Sequence, residues 1–217
     1  MALAIFDLDH TLLNGDSDYL WGQFLVNKGI VEREYYEREN QRYFDEYRAG
    51  TLDIFAFLAF SLEPLTRFSM EELAELHREY MQTSIHPIIL PAGRALIEKH
   101  RQQGDTLIII TATNRFVTEP IAKELGIDNL LATTPEISQG RYTGRVDGIP
   151  CFKDGKVKNL YQWLAGSGET LEESRFYSDS LNDIPLLELV TYPVAVDPDE
   201  TLEQHAEMKG WEIISLR

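Results

Sequence analysis

The chain has 217 residues, of which 43% are apolar and 26% charged, so it can fill one sizeable hydrophobic core with a segment left over, and disorder or a fibrous repeat is not indicated. A formal charge of -16 repels nucleic acid and anionic membranes, and it disfavours an anionic substrate unless a local cation offsets the field. The single cysteine, Cys151, excludes an internal disulfide framework and a cysteine-rich zinc site, and no apolar run approaches the roughly 18 residues that span a bilayer. The N-terminus opens on an apolar run with no basic region or small-residue cleavage site, so a cytoplasmic protein is expected.

Leu3 to Leu8 is almost wholly apolar and ends in aspartates, the pattern of a strand buried on both faces of a parallel sheet. The next stretch is different in character. Helical periodicity runs through Tyr19 to Lys28, Glu32 to Arg48, Leu52 to Leu62 and Met70 to Gln82 without a convincing strand. After it, strands at Thr106 to Thr111, Arg175 to Ser178 and Tyr192 to Val196 alternate with helices at Arg94 to Gln103, Phe116 to Leu125, Lys156 to Ala165 and Leu181 to Val190. Glu136 to Gly148 reads as a β-hairpin turning at Gln139-Gly140. The expected fold is α/β, with a Rossmann-like parallel core formed by residues 1–15 and 86–217. Residues 16–85 form an inserted helical cap over the carboxyl ends of the strands, where open α/β sheets bind ligands.

Chemistry-bearing residues gather at strand ends. Asp7-Leu8-Asp9-His10-Thr11 places two carboxylates two residues apart, able to share one cation and one phosphate. A calcium loop fits poorly, because Leu12 stands at the sixth position and Asp18 at the twelfth, where such loops need Gly and Glu. Thr111-Ala112-Thr113-Asn114 joins a strand to a helix, so its hydroxyls and amides suit a phosphate. Asp154-Gly155-Lys156 begins another helix, and Ser178-Asp179-Ser180-Leu181-Asn182-Asp183 clusters two carboxylates and an amide after a strand. The histidines are scattered without ligand spacing, which argues against zinc.

In this order, and over nearly the whole chain, the four elements resemble the motif set of the haloacid dehalogenase (HAD) superfamily, in its phosphatase branch with a helical cap. The resemblance implies a magnesium-dependent phosphomonoesterase in which Asp7 is the nucleophile and Asp9 the general acid and base. It implies further that Thr111, Ala112, Lys156 and Asn182 hold phosphoryl oxygens. Asp7, Asp179 and the Asp9 carbonyl would ligate Mg²⁺, with Asp183 supporting the metal's water shell or Lys156. Asp16 falls where phosphoserine phosphatases grip the substrate amine, and it equally suits a helix N-cap. The arginine that those enzymes use for the substrate carboxylate is missing from Asp53 to Ser61. The Asp7 to Asp18 stretch and the Tyr177 to Pro185 run resemble bacterial histidinol-phosphatases of this superfamily. Histidinol phosphate is therefore the expected substrate, its imidazole stacking on cap aromatics such as Trp21, Phe24, Phe55 and Phe57. The alternatives are phosphoserine hydrolysis and phosphoryl transfer to a non-water acceptor. The partner expected is a small phosphate monoester, not nucleic acid or membrane, and the oligomeric state stays open.

Overall fold

A computed structural model describes residues 2–217. Its centre is a seven-stranded sheet of β1 (Leu3–Phe6), β2 (Thr106–Asn114), β3 (Asn129–Ser138), β4 (Arg141–Asp147), β5 (Arg175–Ser178), β6 (Tyr192–Val196) and β7 (Glu212–Ile214), in the order β4-β3-β2-β1-β5-β6-β7. Only the β3–β4 pair is antiparallel. Period-two alternation divides the core between two faces: Ala4 and Phe6 pack with Leu107 and Ile109, while Leu3 and Ile5 pack with Ile108 and Ile110 on the other side.

The helices are α1 (Ser17–Asn27), α2 (Arg33–Arg48), α3 (Ile54–Leu62), α4 (Met70–Tyr80), α5 (Pro91–Gln103), α6 (Arg115–Glu124), α7 (Asp154–Ser167), α8 (Ile184–Leu187) and α9 (Glu200–Lys209). The first four lie between β1 and β2, as the periodicity predicts. The chain leaves and re-enters the sheet side by side, because Asn14 N–H donates to the Ile88 carbonyl at 2.7 Å and Leu90 N–H to that of Leu12 at 3.1 Å. Among the described residues no helix is long and apolar enough to cross a membrane.

Three local expectations change. The helix expected over Leu181 to Val190 is a 3₁₀ turn, Leu181–Asp183, followed by the single turn of α8. Pro185 has no N–H to donate, so it stands near a helix start and not inside one. The hairpin is longer than expected on its first strand, which begins at Asn129 and pairs in parallel with β2 before turning back. Its turn does fall at Gln139-Gly140, with φ of 51° and 73°, the left-handed pair of a type I′ turn. The short edge strand β7 has no counterpart in the sequence reading, since three residues carry too little periodicity.

Candidate functional site

Chain order reverses at β1, which has β2 on one side and β5 on the other, and the carboxyl ends of these three strands form the crevice where such sheets bind ligands. Asp7 follows β1 directly, its N–H still donating to the Tyr177 carbonyl of β5 at 2.9 Å, so the sheet ladder fixes its backbone. Lys156, in the first turn of α7, is 1% exposed and donates from Nζ to Asp7 Oδ1 and Asp183 Oδ2, each at 2.7 Å. Ser178 Oγ also donates to Asp183 Oδ2, at 2.7 Å. Burial pushes Asp7 up to about 7, against the opposing pull of the Lys156 ammonium. Burial works against the Lys156 charge, but the Asp183 and Asp7 carboxylates outweigh it and raise the ammonium well above its ordinary range.

Asp9 lies across the crevice, where Oδ1 accepts from Ser17 N–H at 2.6 Å and Oδ2 from Thr113 Oγ1 at 2.9 Å. Burial raises it to about 6, Asp16 adding to the effect and the two hydrogen-bonded residues opposing it. Asp179, after β5, accepts from Thr11 Oγ1 at 3.1 Å and is raised well above the carboxylate range by burial and by the charges of Asp7 and Asp183. A bulge between Thr111 and Asn114 interrupts the pairing of β2 with β3 and brings Thr111, Ala112 and Thr113 to the cleft wall.

Among the described residues no three His, Cys, Asp or Glu side chains converge as a ready metal cage. The donors fit a hard cation nonetheless. Asp7, Asp179 and Asp183 are three carboxylates with Lys156 as their one ammonium neighbour, and Asp183 Oδ1 and Asn182 Oδ1 are buried without a partner. Two carboxylates, a carbonyl and several waters make an ordinary Mg²⁺ set. Both Asp9 side-chain oxygens are taken, by Ser17 and Thr113, whereas Asp7, Asp179 and Asp183 each have one oxygen bonded, by Lys156, by Thr11, and by Lys156 with Ser178 respectively, and one that meets no donor among the described residues.

The model of the haloacid dehalogenase-like hydrolase family matches residues 4–188. The chain belongs to that family. As a HAD hydrolase it is 49% identical, over 99% of both chains, to the histidinol-phosphatase of Neisseria meningitidis serogroup C. It is 31% identical to phosphoserine phosphatase SerB1 of Mycobacterium tuberculosis, over its whole length and 71% of that protein. A solved structure of a protein of unknown function from Bordetella pertussis Tohama I superposes with a TM-score of 0.93 at 44% identity, covering 100% of this chain and 99% of the other. Within the HAD hydrolases the chain is a phosphatase.

The HAD crevice opens into a cleft whose wall is shared by the strand ends and the inserted helices α1, α2 and α3. Its far wall corrects the expected aromatics. Trp21 and Phe24 are buried in the core, and Phe55 is 67% exposed, so of the four only Phe57 lines the cleft. The aromatic lining comes instead from Tyr19, Tyr43, Phe44 and Tyr47. Asn40, Tyr43, Phe44 and Tyr47 follow i, i+3, i+4, i+7 spacing along α2, a stripe visible in the sequence but overlooked in a helix rich in exposed charge. Asp16 lines the cleft and also caps α1, accepting from Tyr19 N–H at 2.8 Å. Asn182 is committed within the protein, donating from Nδ2 to the Tyr47 carbonyl at 3.0 Å and to Ser180 Oγ at 3.2 Å.

Proposed function

We propose that the chain hydrolyses histidinol phosphate to histidinol and inorganic phosphate, with Mg²⁺, through an aspartyl-phosphate on Asp7. The observation that carries the substrate is the charge of the cleft wall. Five carboxylates line it, from Asp7, Asp9, Asp16, Asp18 and Asp179, with His10 as the only basic residue and neither lysine nor arginine. A substrate carboxylate, as in phosphoserine, would meet no cation there. An organic part carrying an ammonium and an imidazole meets carboxylates and aromatic faces.

In this reading residues 16–85 act as the cap of a core formed by residues 1–15 and 86–217. The Asp7 carboxylate attacks phosphorus while Asp9 gives a proton to the departing histidinol oxygen. Asp9 then takes a proton from water as that water attacks the aspartyl-phosphate, which returns Asp7 and releases phosphate. Its elevation to about 6 keeps a usable share protonated near neutrality, and Ser17 N–H and Thr113 hold the side chain in place for both transfers. Lys156 offsets the meeting of carboxylate and phosphate, a repulsion of about 4 kcal/mol for unit charges 4 Å apart at an effective dielectric near 20. Thr111, the Ala112 amide and Asn182 border the phosphoryl oxygens; for Asn182 this requires exchange of a present partner. Bound Mg²⁺, held by Asp7, Asp179 and the Asp9 carbonyl, supplies the remaining positive charge. The working location is the cytoplasm, where amino-acid biosynthesis proceeds.

The test is phosphate release by the purified protein, with Mg²⁺ or EDTA, from L-histidinol phosphate, L-phosphoserine, sugar phosphates, nucleotides and an aryl phosphate. Histidinol phosphate should exceed the others by about 100-fold or more in kcat/KM, the scale of two charge-assisted contacts, and EDTA should abolish turnover. Phosphoserine turned over equally well would overturn the substrate. Consumption of ester without matching phosphate release when an alcohol is added would indicate transfer in place of hydrolysis.

A further inference from the structure

The carboxylate resembling the amine-gripping residue of phosphoserine phosphatases is Asp16, yet its neighbour two positions on is the more deeply buried of the two and the one anchored by a residue distant in sequence. Asp16 serves α1, capping it through Tyr19 N–H at 2.8 Å. Asp18 is 7% exposed and lines the same cleft. Its Oδ1 accepts from Asn114 Nδ2 at 3.0 Å, and Asn114 is itself 2% exposed and fixed by capping α6 through Val117 N–H at 3.2 Å. Asp18 has no ion pair and its Oδ2 meets no donor among the described residues. Burial, with the Asp16 and Asp9 charges adding to it and the Asn114 amide opposing, holds the Asp18 carboxyl well above the ordinary range, so its ionised form is unfavourable alone and a cationic guest at Oδ2 favours it.

We propose that Asp18 is the specificity-determining residue of this cleft, its free Oδ2 receiving a positively charged or N–H-bearing nitrogen of the substrate while Asp16 chiefly holds the helix that presents it. The inference rests on the phosphatase reading and sharpens it to phosphate esters of cationic alcohols. Asn40, 4% exposed and also on the cleft wall, donates to the Tyr19 carbonyl at 3.0 Å and so ties α2 to the turn that carries Asp18.

The experiment compares wild type, Asp18→Asn and Asp16→Asn in the Mg²⁺-loaded enzyme on L-histidinol phosphate and on phenyl phosphate, with L-histidinol as inhibitor. Asparagine is nearly isosteric with aspartate and caps helices as well, so both variants should fold, and a melting curve with Asp18→Glu as a second variant checks it. Asp18→Asn should lower the ratio of kcat/KM for histidinol phosphate over phenyl phosphate by about 10- to 100-fold, mostly through KM, and weaken L-histidinol inhibition by a similar factor. Asp16→Asn should change that ratio less than about 3-fold, because the cap survives. Equal losses on both esters in Asp18→Asn, or the larger effect in Asp16→Asn, would overturn the proposal. Wild-type rates separate the two levels. Preference for another amine phosphate, such as O-phosphoethanolamine, removes histidinol phosphate as substrate and leaves the Asp18 ratio to be read on that ester; no preference for any cationic ester over phenyl phosphate removes both.

Discussion

Lys156 is 1% exposed between Asp7 and Asp183, and its two ion pairs at 2.7 Å exclude water, so the charges depend on one another. Removing one member of such a group leaves uncompensated buried charge, which costs about 3–5 kcal/mol. Lys156→Met should therefore destabilise the protein by roughly that amount at pH 8 and abolish phosphate release. At pH 5 the loss should shrink, because Asp7, already raised to about 7, takes up a proton and no longer needs a partner. Urea unfolding at the two pH values measures this, and an equal loss at both would show that packing of the lysine stem, not its charge, matters. Asp7→Asn should leave a folded protein in which no aspartyl-phosphate forms, detectable by intact-mass measurement after acid quench.

The start of α7 shows how an element delivers such a residue. Gly155 N–H donates to the Phe152 carbonyl at 2.8 Å and Lys156 N–H to that of Lys153 at 2.9 Å, closing a tight turn in which Lys153 adopts φ 49°. A Cβ on Gly155 would stand 2.0 Å from the Pro150 carbonyl oxygen, a backbone atom that cannot swing away. Gly155→Ala should thus cost about 1–3 kcal/mol, as overpacked sites do, and lower kcat further than that loss of stability explains, because the first turn of α7 must shift and carry Lys156 with it. A thermal melt alongside steady-state rates at 25 °C checks both parts. Unchanged kcat would show that Lys156 re-seats independently of the turn. The same turn meets the inserted helices, since Lys153 Nζ donates to the Gly50 carbonyl at 2.7 Å, just past the end of α2.

At the scale of the molecule, a chain of formal charge -16 concentrates carboxylates around one cleft. Asp7 and Asp9 stand at about 7 and about 6 in the fold against an ordinary 3.8. The folded protein then holds more protons than the unfolded chain between about pH 4 and pH 7, so in EDTA stability is greatest below that window and falls as pH rises through it. Mg²⁺ should reverse the slope, because it binds the ionised carboxylates. At pH 7.5, metal at about 100 times its dissociation constant should add about 2.7 kcal/mol, or roughly 5–10 °C in melting temperature for a chain of this size. Melting curves from pH 4.5 to 8 with EDTA and with Mg²⁺ read this directly. Coincident curves would show that the cleft carboxylates bind no metal.

The order of elements, the parallel core, the helices between β1 and β2, and the four clusters at strand ends were legible in the sequence, because period-two and period-3.6 patterning and strand-end chemistry are local properties of the chain. Asp7, Asp9, Thr111 and Asp179 lie at the strand ends where that patterning places them, while the roles expected of them and of Lys156 come from the resemblance to the HAD motif set. Which aromatics face the ligand could not be read from the sequence. Trp21, Phe24, Phe55 and Phe57 all sit on apolar helices, and only the packing of α1 to α3 against the sheet sends two of them into the core, one to solvent and one to the cleft. Nor does spacing separate Asp16 from Asp18, two positions apart. Tyr19 N–H takes one oxygen of the first and Asn114, 96 residues away, one oxygen of the second, so the orientation of the buried carboxylate is decided by a contact that exists only once β2 and α1 are brought together.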